Sequence, residues 1–175
     1  MSPPTPSRRP LGFALGLGVL VLVACETVGG PRLKASWDGA KAGKLRAQAI
    51  AAWCPQARRL EVEAIREDAG IALVIYPEDT LGTGSYEAFD PGRYAMQRPG
   101  SAAALRLFND QEVKGYQSDS GLAAVTLEAG KYAVQFGYRL VSVTLSDTLR
   151  VTGQATGLVP GPCRADDMSQ PSDSG

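Results

Sequence analysis

The clearest alternation in the chain falls at residues 59–64, where Leu60, Val62 and Ala64 are apolar and Arg59, Glu61 and Glu63 are charged. A period of two marks a strand with one buried face, because successive side chains point to opposite sides. Asp68-Ala69-Gly70 then offers turn chemistry, and residues 71–76 form an unbroken apolar run of strand length. Pro77 ends that run, since it lacks the N–H a ladder needs. Together these segments predict a hairpin.

The pattern continues downstream. Residues 86–89 and 94–97 flank the turn tripeptide Asp90-Pro91-Gly92, and residues 103–108 end at Asn109-Asp110. Residues 121–127 and 131–138 flank Glu128-Ala129-Gly130, with Tyr132, Val134, Phe136 and Tyr138 on one face. Val141, Val143 and Leu145 have the opposite parity, which predicts a bulge or bend near Arg139-Leu140. Residues 148–152 make a last strand before a Gly-rich approach to Cys163. The ambiguous stretch is 44–53. Its alanines favour helix by propensity, yet Leu45, Ala47, Ala49, Ala51 and Trp53 also share one side of a strand. The β neighbours and the abrupt stop at Cys54-Pro55 favour strand. Short strands with turns every 8 to 12 residues predict an all-β fold, an antiparallel β-sandwich, with a small closed β-barrel as the alternative.

The N-terminal pattern is different. Residues 11–24 carry no charge, after Arg8 and Arg9 and before the first acid, Glu26. A helix of that length rises about 21 Å, short of a hydrocarbon core of about 30 Å, so the segment fits the apolar part of a signal peptide. The run closes on Leu22-Val23-Ala24-Cys25, which resembles the lipobox of bacterial lipoproteins. That resemblance implies cleavage before Cys25, diacylglycerol on its sulfur and, usually, acylation of its new amino group. Cys25 is then a lipidation site, and the membrane is a partner through that lipid. Glu26 is compatible with outer-membrane delivery in a two-membrane cell, where residues other than Asp at the second mature position accompany that route. Ser7-Arg8-Arg9-Pro10-Leu11 also resembles the start of a twin-arginine export signal, with Leu11 where Phe is usual. Two arginines serve a general secretory signal equally well.

This reading divides the chain into a signal peptide (1–24), a lipidated tether (25–31), a β domain (32–163) and a polar tail (164–175) expected to be disordered. Arg8 and Arg9 leave with the signal, so the 18 basic residues fall to 16 against 18 acidic ones. That balance argues against nucleic acid, or an anionic membrane surface, as an electrostatic partner. With Cys25 assigned to lipid, Cys54 and Cys163 remain, and an oxidising compartment favours pairing them. Such a bridge closes a loop of about 110 residues, worth up to about 4.7 kcal/mol in the chain-entropy treatment.

The chain contains no histidine. Ser-His-Asp and Cys-His catalysis and the usual zinc and copper sites are therefore excluded. No cofactor, metal site or catalytic residue is expected, and the favoured function is a non-enzymatic envelope protein that binds or supports an envelope protein or glycan. One rival is a hydrolase using Glu61 and Glu63, which lie two apart on one strand face at a spacing that glycoside hydrolysis permits. A solvated face balanced by Arg58, Arg59 and Arg66 is the simpler account. Another rival, a carrier of an apolar ligand, needs an interior cavity of a few hundred Å³. Gly39-Ala-Lys-Ala-Gly43-Lys44-Leu45 departs from a phosphate loop in spacing and in Leu45, and reads as a hairpin loop. Gly82-Thr83-Gly84-Ser85 reads as an exposed turn rather than an anion cradle, and Glu78-Asp79 and Asp119-Ser120 are sparse for calcium. Tyr76, Tyr86, Phe89, Tyr94 and Tyr116 fall near loop ends and could form a ligand patch if exposed, whereas Trp37 and Trp53 read as core.

Overall fold

The computed structural model describes residues 30–89, 99–109, 111–142 and 147–163. Among them every regular element is a strand: β1 (Arg32–Gly39), β2 (Gly43–Gln48), β3 (Ile50–Cys54), β4 (Arg59–Arg66), β5 (Ala69–Tyr76), β6 (Gly84–Glu87), β7 (Gly100–Phe108), β8 (Val113–Glu128), β9 (Lys131–Ser142), β10 (Thr148–Leu158) and β11 (Gly161–Pro162). The signal peptide, Cys25, the Asp90-Pro91-Gly92 turn, Tyr94, Val143, Leu145 and the tail lie outside the described residues.

The expected all-β, antiparallel class holds, with one sheet curled into a half-barrel around a common core. Hydrogen-bonded order runs β11-β3-β4-β5-β7-β8-β9-β10-β1-β2, with β6 also on β8. Among the described strand pairs only β11 on β3 is parallel, with an isolated parallel bridge between Ala88 and Ser101. Residues 44–53 are extended, as their alternation predicts: one residue, Ala49, separates β2 from β3, and its N–H donates to Pro31 O at 2.9 Å. β2 and β3 are thus one bent stretch of chain, the first half laddered to β1 and the second to β4. The two ends of the sheet meet in that stretch.

The inward faces follow the alternation. Leu60, Val62 and Ala64 on β4, Ile71, Leu73 and Ile75 on β5, and Val134, Phe136, Tyr138 and Leu140 on β9 are buried in one cluster. A Leu taken fully out of water contributes about 1.5–3 kcal/mol, so this interior outweighs any single surface contact. Trp37 is buried and Trp53 packs partly buried against the cluster, as expected of core residues.

Two local expectations are corrected. The first hairpin turns at Glu67-Asp68, because Arg66 already pairs with Ala69. The bulge expected in β9 lies on its partner: Ser118 pairs with Leu140 and Ser120 with Arg139, leaving Asp119 as the extra residue of β8. Leu140 therefore keeps the inward parity of Tyr138.

The bulge falls where β8 changes neighbours. Residues 113–117 ladder to β7, and residues 122–125 ladder to β6. Backbone groups at this changeover would lose ladder partners inside the core, which is costly. Buried hydroxyls replace them. Ser118 Oγ accepts from Ala103 N at 2.9 Å, Ser101 Oγ donates to Tyr86 O at 2.7 Å, and Tyr138 OH donates to Ser101 Oγ at 2.8 Å. Ser101 and Ser118 are the buried polar side chains among the described residues, and this junction accounts for both.

Candidate functional site

Cys54 ends β3 and Cys163 follows β11; the parallel pairing of β11 with β3 brings their Cα atoms to 4.9 Å, and the two are disulfide-bonded. Glu61 lies close enough to both sulfurs to suggest a three-ligand metal set, but sulfurs joined to each other are not thiolate ligands. Glu61 is instead ion-paired to Arg59, Nε to Oε1 at 2.5 Å. Burial works to lower the Arg59 pKa, but Glu61 and Tyr76 outweigh it and hold the guanidinium charged.

Glu63, next on the same face, borders a shallow outer depression of about 180 Å³ with Ile65, Arg106 and Phe108. Glu61 does not line that depression. The other sequence candidates take structural places. Residues 40–42 connect the β1–β2 hairpin. Gly82 O accepts from Tyr86 OH at 3.2 Å. Asp79 lies 3.8 Å from Arg58, and Asp119 binds Arg139. Tyr76, Tyr86, Phe89 and Tyr116 are all at most 8% exposed, so they pack rather than form an open patch. Tyr76 and Phe89 meet edge to face at 5.3 Å.

The outer face of β1–β2 carries what the one-dimensional reading missed. Strand alternation sends Leu33, Ala35 and Leu45 inward and exposes Arg32, Lys34, Lys44 and Arg46. The register places Lys34 directly opposite Arg46, with Ser36 opposite Lys44. Like charges directly opposed across strands are destabilising. None of these four cations has an ion pair among the described residues. Asp38, the acid on β1, pairs in register with Arg150.

Lys34, Lys44 and Arg46 line an open groove of about 600 Å³, with Gln135, Thr152 and Gln154 from β9 and β10. A second concavity of about 630 Å³ adjoins it, lined by Gly30, Pro31, Arg32, Lys34 and Arg46. Gly30 and Pro31, where the described chain begins, thus lie at the cationic face. The signal for this in sequence is the pair of alternations Arg32-x-Lys34 and Lys44-x-Arg46, which a search for consecutive basic residues passes over.

No family model matches the chain, and no curated protein or solved structure is significantly similar to it.

Proposed function

We propose that the protein is a lipid-anchored bacterial envelope lipoprotein, exported and cleaved before Cys25, whose β domain serves as a non-enzymatic binding or structural module. The observation that carries this reading is the Cys54–Cys163 disulfide. It consumes both other cysteines, leaves Cys25 as the single thiol of the chain, and suits an oxidising compartment outside the cytoplasm. The lipobox resemblance of residues 22–25 supplies the chemistry for that thiol. Two or more acyl chains hold a protein stably at a bilayer, at about 0.8 kcal/mol per buried methylene. The absence of histidine and the placement of Glu61 against Arg59 support a non-enzymatic role.

The test is the full-length gene product expressed in a bacterial host, alongside Cys25→Ser. Wild type should partition into detergent and show a mature mass with acyl chains added at Cys25. Cys25→Ser should be unacylated and lose that partitioning. Identical partitioning of the two proteins, without acylation of either, would remove the anchor.

A further inference from the structure

We infer that the outer face of β1–β2, carrying Arg32, Lys34, Lys44 and Arg46, docks on the anionic phospholipid headgroups of the bilayer that holds Cys25. The inference rests on the lipid-anchor reading and adds an orientation to it: lipid holds the protein, and these cations choose which face meets the membrane.

Three observations converge. The first is reach. Cys25 lies five residues before Gly30, so full extension separates them by no more than about 18 Å. Gly30 and Pro31 line the same concavity as Arg32, Lys34 and Arg46, so the anchor must lie near this face. The second is charge. Lys34 and Arg46 oppose each other without a described counterion, an arrangement that an external anion relieves. The third is shape and chemistry. The groove is wide and open, and Gln135, Thr152 and Gln154 beside the cations can donate hydrogen bonds to phosphodiester oxygens. This departs from the expectation drawn from net charge, because membrane attraction acts within about one Debye length and depends on the charge near the surface.

Each cation held near an anionic surface favours the docked orientation by about fivefold. The experiment uses the mature acylated protein, reconstituted on the outside of vesicles of phosphatidylcholine alone or with one quarter phosphatidylglycerol. Lysine acetylation is read residue by residue by mass spectrometry. Lys34 and Lys44 should label about fivefold or more slowly on the phosphatidylglycerol vesicles, with Lys114, at the far end of β8, unchanged. The difference should vanish at about 1 M salt, where the Debye length is about 3 Å. Lys34→Gln with Arg46→Gln, both solvent-facing changes, should weaken the composition dependence of Lys44 labelling while leaving part of it, since Arg32 and Lys44 remain.

Equal labelling of acylated protein on both vesicles would overturn the inference alone. Protection of Lys34 and Lys44 that is already complete without vesicles would also overturn it, since protein rather than lipid would then cover the face. A mature protein lacking acyl chains on Cys25 would overturn the anchor reading and this inference together.

Discussion

Asp119, the extra residue of the β8 bulge, turns its carboxylate onto Arg139, the residue of β9 beside the register shift, with Arg139 Nε 2.9 and 3.1 Å from its two oxygens. A bulge leaves its extra residue without a ladder partner and bends the strand. Here the side chain substitutes for the missing pairing and clips β8 to β9 at the point where β8 passes from β7 to β6.

This clip predicts an acid limb in the stability profile. Hydrogen bonding to Arg139, then to Ser120, holds the Asp119 carboxyl below its ordinary value of 3.8, against the opposing pull of desolvation. A depressed folded pKa means stability that is present above the unfolded value and lost as pH falls through the folded one. Asp119→Asn should therefore lower Tm slightly at neutral pH, by an amount that shrinks in high salt because Arg139 is exposed. The gap between variant and wild type should narrow as pH falls below the ordinary value of 3.8 and through the lowered one. Thermal melts across pH would show a constant gap if the carboxylate charge had no part.

Tyr138 predicts the alkaline counterpart. Its hydroxyl is buried, which pushes its pKa up to about 12 from the ordinary 10.0, with the Ser101 bond working the other way. A raised folded pKa contributes stability that is complete below about pH 10 and declines as pH rises through 10 toward 12. Tyr138→Phe should cost about 1–3 kcal/mol at neutral pH, because it leaves Ser101 one partner short inside the core. It should also flatten the decline between pH 10 and 12, read by chemical denaturation at each pH.

The disulfide predicts a larger effect. Its ends are 109 residues apart, so opening it releases most of the domain's unfolded-state constraint. Cys54→Ala with Cys163→Ala should lower stability by about 2–5 kcal/mol, measured by urea denaturation. Reduction of wild type by dithiothreitol should give a similar loss. A midpoint unchanged by either treatment would show that β11 docks on β3 without covalent help.

The sequence made the strands legible wherever one face is apolar and the other charged. Leu60, Val62 and Ala64 locate β4, and Val134, Phe136 and Tyr138 locate β9. The alternation of Leu45 with Ala47 and Ala49 outweighs the helical propensity of the alanines because residues 43–48 ladder to β1 and residues 50–54 to β4, and a helix would forgo both ladders. The parity change after Tyr138 points to β9, whereas the extra residue is Asp119 of β8, because parity within one strand cannot reveal which partner carries it. Ser101 and Ser118 gave no signal, since a buried hydroxyl is needed only where a ladder changes hands, and that is a property of three strands together. The cations of β1 and β2 became one surface only through the Lys34–Arg46 register. Net charge averages over such a face.

β1 is hydrogen-bonded along its length to β10 and, over residues 32–37, to β2. A molecule held at Cys25 would receive any tug from the membrane at the start of this strand. A pull along β1 loads both ladders in shear, so many hydrogen bonds must yield together rather than one at a time. Thr156 to Leu149, the partners of β1 on β10, also lie inside the covalent ring that Cys54 and Cys163 close. β1 is therefore braced against a part of the fold that cannot be reeled out, and if Cys25 is anchored, traction on the residues before β1 would meet a stiff handle.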